Sequence, residues 1–283
     1  MPLDLASLIG PILEISRAAG MKVIEIYGED DLKIQSKSDD SPVTCADMAA
    51  HTIIGEGLRK LTPDIPLLSE ESNDITFEMR AAWGTFWLVD PLDGTREFIK
   101  RSGEFTVNVA LIRDHEPVLG VIYAPVHEVI YYAWRYGGAF KRQDSTPKPQ
   151  KIYSRPLDDT PVRVAGSRSY AVKALQTFLR RLDNYEYVGV GSALKSCLIA
   201  EGAIDVYPRL GPTSEWDTAA AQCILEEAGG RLTDIWMSPL RYNTQASLLN
   251  PPFIAFGDDR RNWAEYIPES FREKERERLR AGS

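Results

Sequence analysis

Apolar residues at Leu5, Leu8, Ile9, Ile12, Leu13 and Ile15 recur every three or four positions, the period of one buried helix face. A second helix is expected over Ala46–Leu61. Ser41-Pro42 precedes it, Thr44 with Asp47 three residues on makes an N-terminal cap, and Pro63 stops it. From Ile65 the pattern turns to strands, expected over Ile65–Ser69, Thr85–Asp90, Glu104–Ile112, Val118–Tyr123 and Val129–Trp134, with a turn at Gly137-Gly138. Lys141–Pro161 is polar, holds four prolines, and reads as a connection between two halves. Beyond it the order alternates. Strands are expected at Val162–Ala165, Tyr185–Val190, Ile204–Tyr207 and Phe253–Phe256, and helices at Tyr170–Leu182, Ala193–Glu201 and Thr218–Ala228. The pattern predicts an N-terminal α+β half over residues 1–160 and a C-terminal α/β half over 161–283. Phe271–Arg280 mixes acidic and basic residues and reads as a solvated terminal helix.

Composition narrows the function classes. A chain of 283 residues with 43% hydrophobic and 26% charged residues is an ordinary globular one, which excludes a disordered or collagen-like protein. Lys+Arg 33 against Asp+Glu 41 gives a net charge of −8, unlike the clustered basic surface that nucleic acid requires. A small anion stays open as a ligand if local cations supply the positive charge. Cys45, Cys197 and Cys223 are far apart with no CxxC, so neither a disulfide framework nor a zinc knuckle is expected. Each reads as a small buried residue in a reducing compartment. His51, His115 and His127 form no i, i+4 pair, which leaves a histidine metal site poorly supported. Asp4, Pro11 and Glu14 interrupt the N-terminal segment, unlike a signal peptide, and no run approaches ~18 apolar residues. A soluble cytoplasmic protein is expected.

Acidic residues gather at strand and helix ends. They are Glu70 and Glu71 after Pro66-Leu67-Leu68, Asp90 and Asp93 after Phe86-Trp87-Leu88-Val89, Asp217 at a helix start, and Asp47 in the first turn of the second helix. In Asp90-Pro91-Leu92-Asp93-Gly94-Thr95 an apolar strand drives two carboxylates to its end, and they repel unless a cation sits between them. Mg²⁺ suits such oxygen ligands, and the Leu92 carbonyl offers another. Gly94 and Thr95 open a short helix whose free N–H groups could meet a phosphate. Singly, each feature has a plain explanation: an Asx-turn for the Asp-Pro and Asp-Gly pairs, a solvated loop for Glu70-Glu71, helix caps for Asp47 and Asp217. Together they favour a metal site.

Ser69-Glu70-Glu71, Asp90-Pro91-Leu92-Asp93-Gly94-Thr95 and Trp216-Asp217-Thr218-Ala219-Ala220 resemble, in order and spacing, the signatures of the inositol monophosphatase superfamily of Mg²⁺-dependent, lithium-sensitive phosphatases. Within it the chain is most similar to the CysQ-type 3'(2'),5'-bisphosphate nucleotidases, through Ser41-Pro42-Val43-Thr44, Glu97-Phe98-Ile99-Lys100-Arg101, Gly103-Glu104-Phe105-Thr106-Val107-Asn108 and Tyr207-Pro208-Arg209. The resemblance runs from about residue 5 to 257. It implies a layered αβαβα sandwich of the sugar-phosphatase type. It implies two or three Mg²⁺ ions held by Glu70, Asp90, the Leu92 carbonyl, Asp93 and Asp217, with Glu71 helping through water beside the metal. Asp47 and Thr95 would orient or deprotonate the attacking water, with Glu70 also in the catalytic set. Substrate contacts would come from Leu92, Asp93, Gly94, Thr95, Ser192, Lys195, Arg209 and Asp217. Tyr170 stands where many relatives carry a histidine near the nucleoside; its ring could stack on adenine. The implied reaction is hydrolysis of adenosine 3',5'-bisphosphate to AMP and phosphate, with the sulfated analogue as a second substrate, in sulfur assimilation. An inositol or sugar phosphatase of the same superfamily is the alternative, and a non-catalytic module binding Mg²⁺ or nucleotide is a second. The expected partner is a small nucleotide rather than nucleic acid; a homodimer and peripheral attachment at the inner membrane stay open.

Overall fold

Asp4 caps the first helix, accepting the Ala6 N–H at 3.1 Å, and α1 (Leu5–Tyr27) buries Leu8, Ile9, Ile12 and Leu13 on the face their spacing predicts. The computed structural model describes residues 3–29, 32, 35–36, 42–72, 74–158, 161–166 and 173–281. A short hairpin, β1 (Gln35–Ser36) with β2 (Pro42–Val43), leads into α2 (Cys45–Leu61). Its start is a capping box: Thr44 accepts from the helix and Asp47 returns to the Thr44 N–H at 2.7 Å.

Seven strands then form one sheet in sequence order: β3 (Leu67–Ser69), β4 (Thr85–Asp93), β5 (Thr106–Arg113), β6 (Glu116–Ala124), β7 (Val129–Trp134), β8 (Gly138–Gln143) and β9 (Thr146–Ile152). Short helices α3 (Phe77–Arg80) and α4 (Thr95–Ile99) flank β4. Strand β3 runs parallel to β4, and the remaining neighbours are antiparallel. Successive residues face opposite layers. Trp87, Val89, Val109 and Val121 pack under α1 and α2, whereas Phe86, Leu88, Ala110 and Ile122 face the middle of the molecule. Burial on both faces explains why these strands read as nearly continuous apolar runs.

The second sheet has the order β11-β10-β12-β14-β13. Its strands are β10 (Val162–Gly166), β11 (Tyr185–Gly189), β12 (Val206–Arg209), β13 (Arg231–Asp234) and β14 (Phe253–Phe256). Between the sheets lie α6 (Leu194–Ala200) and α7 (Glu215–Glu227). Outside the second sheet lie α5 (Lys173–Arg180) and a 3-10 turn at Trp263–Tyr266, with Phe178 and Trp263 buried against Val164 and Ile254. The charged helix α8 (Glu269–Ala281) ends the chain. The result is the expected αβαβα layering. Among the described residues no helix is long and apolar enough to cross a membrane.

Three expectations change. The polar Lys141–Pro161 stretch is not all connection, because β8 and β9 form a hairpin that continues through Ile152. Pro147 and Pro149 sit on the edge strand, where a missing N–H interrupts no further ladder. The helix expected from Thr218 begins at Glu215, because Ser214 and Asp217 close a second capping box. Strand β13 was absent from the sequence reading; its Arg231 and Asp234 ends mask two buried residues, Leu232 and Thr233.

Candidate active site

Three loops meet where the first sheet faces α7. Strands β3 and β4 are in register with Ser69 beside Val89, and the Glu70 N–H donates to the Val89 carbonyl at 3.0 Å. Glu70 therefore leaves β3 next to Asp90. In a regular strand residues three apart face opposite sides. Here the pairing with β5 shifts between Asp90, opposite Asn108, and Asp93, opposite Thr106. The extra residue is a bulge that turns Asp93 onto the side of Asp90. The Leu92 N–H donates to Asp90 Oδ1 at 3.0 Å and fixes the bend. Gly94 then adopts φ 93°, where a Cβ would meet the Glu104 carbonyl, and starts α4 with Thr95 at its first position.

Asp217 arrives from the other half. A Cβ on Gly120 of β6 would lie 2.4 Å from the Ala220 carbonyl oxygen, so helix α7 rests almost backbone to backbone on the sheet. Ala219, Ala220 and Ala221 keep that face small. The Ser214 N–H donates to Asp217 Oδ2 at 2.8 Å. One carboxylate oxygen each from Asp90, Asp93 and Asp217 then lie within 4.8 Å of one another.

Beside them Asp47, 1% exposed, accepts from the Thr44 N–H and hydroxyl, each at 2.7 Å. The Thr95 hydroxyl stands 3.3 Å from Asp47 Oδ1 and 3.2 Å from the Leu92 carbonyl. Asp93 Oδ2 accepts the Ala193 N–H at 2.6 Å and the Asn108 amide at 3.3 Å. A cavity of about 400 Å³ opens over Glu70, Asp90, Leu92, Asp93, Thr95 and Asp217.

Burial and crowding disturb these acids. Burial, then the charges of Glu70, Asp93 and Asp217, push Asp90 well above the usual carboxylate range. Burial raises Asp93 also, against the pull of Lys195 and the Asn108 and Ala193 hydrogen bonds. Burial followed by the Asp93 charge brings Asp217 up to about 8. Left alone, such a cluster holds protons; a divalent cation would replace them. The donor set is all oxygen, with no imidazole or thiolate, which fits a hard ion such as Mg²⁺.

A second cavity, about 210 Å³, shares Asp93, Gly94, Arg209 and Asp217 with the first and extends to Ser192 and Lys195. Lys195 is 7% exposed; burial, opposed by Asp93, lowers its ammonium to about 8. It donates to the Ser192 carbonyl at 2.7 Å and the Val190 carbonyl at 3.3 Å, and lies over the Tyr207 ring. Ser192, at φ 47°, bends the loop so that its carbonyl meets Lys195 while the next N–H meets Asp93. Arg209 donates to the Pro212 carbonyl at 2.9 Å. Two cationic side chains, Lys195 and Arg209, thus flank the acidic cluster.

The structure brings Glu70, Asp90, Leu92, Asp93, Gly94, Thr95, Arg209 and Asp217 to one cavity wall. Glu71 is buried, 8% exposed, and does not line it. Tyr170 lies outside the described residues. Three contributors stand outside the site residues expected from the sequence. Asn108 was signalled by a lone amide inside the apolar run Thr106–Arg113, and Glu97 and Arg96, which line both cavities, by their place in the first turn after Gly94.

Comparison with known proteins identifies the family of the chain. The family model described as "Inositol monophosphatase family" matches residues 4–275. A 3'(2'),5'-bisphosphate nucleotidase CysQ from Salmonella typhimurium is 47% identical over 247 residues, covering 87% of this chain and 98% of that protein. The protein of that name from Haemophilus influenzae is 40% identical over 258 residues, covering 90% and 95%. The crystal structure of CysQ from Bacteroides thetaiotaomicron superposes with a TM-score of 0.78 at 37% identity, covering 89% of this chain and 97% of that one. A Thermotoga maritima IMPase, 24% identical with a TM-score of 0.77, shares the fold. A family match across nearly the whole chain, over the same acidic loops that the fold draws together, makes this protein a member of the inositol monophosphatase family.

Proposed function

We propose that this chain is a Mg²⁺-dependent phosphatase that removes the 3'-phosphate of adenosine 3',5'-bisphosphate, giving AMP and phosphate, and also accepts the sulfated analogue. The observation that carries this reading is the pairing of two unlike groups in adjoining cavities: the acidic triad Asp90, Asp93 and Asp217 beside the cations Lys195 and Arg209. A substrate with two phosphates matches that arrangement, one phosphate at the metal end and one at the cationic end.

Glu70, Asp90, the Leu92 carbonyl, Asp93 and Asp217 would hold two or three Mg²⁺ ions. Bound there, Mg²⁺ supplies charge neutralisation for the phosphate and makes water a stronger nucleophile. The protein's own residues do the rest. Thr44 fixes Asp47 as an acceptor aimed at Thr95. The Thr95 hydroxyl passes its proton toward Asp47 and so is free to accept one from an attacking water. Gly94 and Thr95 present N–H groups to the transferring phosphoryl oxygens, and Asn108 and Ala193 keep Asp93 from rotating away. Glu71, buried beside Glu70 in the chain, would help hold the cation only through water, and Ser192, Lys195 and Arg209 take the second phosphate.

Phosphate release over a panel of esters tests this reading. Adenosine 3',5'-bisphosphate should turn over with the highest kcat/KM, only with Mg²⁺, and ahead of 2'-AMP, inositol 1-phosphate and fructose 1,6-bisphosphate. Faster turnover of inositol 1-phosphate overturns the substrate assignment, and nucleotide binding without release overturns the enzymatic one.

A further inference from the structure

His51 forms part of the support of the acidic loops. It lies on α2 one turn after Asp47, so the two side chains share a face of that helix. Asp47 reaches the end of β4 through Thr95; His51 Nδ1 reaches the end of β3, 2.9 Å from the Ser69 hydroxyl. Ser69, 1% exposed, immediately precedes Glu70 and Glu71, and its hydroxyl accepts the Glu71 N–H at 3.3 Å. The Ser69 main chain is tied within the turn, its N–H donating to Ser72 Oγ at 3.1 Å and its carbonyl accepting the Ser72 N–H at 2.9 Å. The Ser69 side chain is therefore a link from this turn to α2. With one lone pair engaged by Glu71, the hydroxyl keeps a proton to donate and a lone pair to accept with, so either tautomer of a neutral imidazole bonds it through Nδ1. Burial and the Arg59 guanidinium favour that neutral ring.

We infer that His51 is a positioning residue for the Ser69–Glu71 turn, holding through the Ser69 hydroxyl the backbone that presents Glu70 to the cation. The inference rests on the proposed cation site and adds a residue to it. One rigid helix then sets the spacing between the water-orienting pair, Asp47 and Thr95, and the acids after β3.

The test is calorimetric Mg²⁺ binding to the metal-free protein, alongside phosphate release and thermal melts. His51→Leu should weaken Mg²⁺ binding roughly threefold to tenfold, below the ~10–100-fold effects of partners that touch metal ligands directly, because His51 acts through Ser69. The Mg²⁺ concentration for half-maximal turnover should rise by the same factor, while KM at saturating Mg²⁺ changes less than twofold. His51→Asn, whose side-chain amide can donate or accept at the place of Nδ1, should recover most of the loss. His51→Leu added to Ser69→Ala should cause no further loss beyond that of Ser69→Ala alone. Wild-type Mg²⁺ affinity in His51→Leu, no recovery in His51→Asn, or multiplying losses in the double variant would each overturn the inference. Asp90→Asn serves as the control: Mg²⁺ binding unchanged in that variant would overturn the cation site itself and this inference with it.

Discussion

Asp205 and Asp90 are equally hidden aspartates, 2% and 1% exposed, set in opposite company. Asp205 accepts two bonds from the Arg155 guanidinium, at 2.7 and 3.1 Å, and one from the Arg163 N–H at 2.7 Å. Asp258, 8% exposed, is similarly met by Arg260 and by the Leu157 N–H at 2.7 Å. Asp90 has Glu70, Asp93 and Asp217 as its charged neighbours. A buried charge persists when it is paired and hydrogen-bonded. The first two sites are complete with protein groups alone and fasten the chain around β10, β12 and the 257–260 loop. The third leaves its acids facing one another, and the proposed cation would complete it. The difference separates acids that build the fold from acids that await a ligand, and four experiments probe it.

The largest effect belongs to the incomplete site. Asp90→Asn or Asp93→Asn should abolish phosphate release while the metal-free protein melts at the same temperature or higher, since one repelling charge has gone. Mg²⁺-induced stabilisation should vanish in the same melts. Loss of folding in both variants would place these acids with Asp205 as structural groups.

Asp47 sharpens the contrast because it is both satisfied and aimed at the site. Asp47→Asn and Thr95→Val should each lower kcat by about 10²–10⁴-fold, the range for general acid–base groups, with KM and Mg²⁺ affinity little changed. As a helix cap alone, Asp47 would cost about 1 kcal/mol of stability when altered and leave turnover intact. Single-turnover kinetics beside denaturant titration distinguish the two.

Asp205→Ala is the reverse experiment. It strands the partly buried Arg155 and Arg163, so stability should fall by about 3 kcal/mol in urea titration, the usual result of breaking a buried pair. Turnover at saturating substrate and Mg²⁺ should match that of the unaltered protein. A parallel fall in kcat would mean that the β10–β12 region shapes the site.

Local features were the legible ones. Thr44 with Asp47, the apolar run ending at Asp90, and the helix opening at Thr95 each act within a few residues of chain, and each stands where the sequence puts it. What depends on distant partners was hidden. The bulge that turns Asp93 beside Asp90 is set by pairing with β5, and the fit of α7 needs Gly120, a hundred residues from Ala220. The link from His51 to Ser69 joins a helix to a strand end and carries no sequence pattern of its own. The β8–β9 hairpin was concealed because an edge strand tolerates the prolines and charges that otherwise mark a loop.

The smallest effect concerns pH and runs in opposite senses at the two kinds of site. Asp217 is raised to about 8 in the folded protein, so the metal-free fold binds this proton more tightly than the unfolded chain does. Its contribution is present at low pH and is lost as pH rises from about 4 toward 8. Asp258 is held below the usual range, first by its Arg260 hydrogen bonds, so its contribution is full above about 4 and is lost as pH falls through the lowered value. Arg260 is 65% exposed, which screens the pair and limits that contribution to on the order of 1 kcal/mol. Asp258→Asn should therefore be less stable than the unaltered protein by about that amount at pH 6, and the gap should close toward pH 2. Chemical denaturation at the two pH values, both without metal, measures it. A gap that widens on acidification would show that the Leu157 N–H bond, rather than the charge on Asp258, holds this loop.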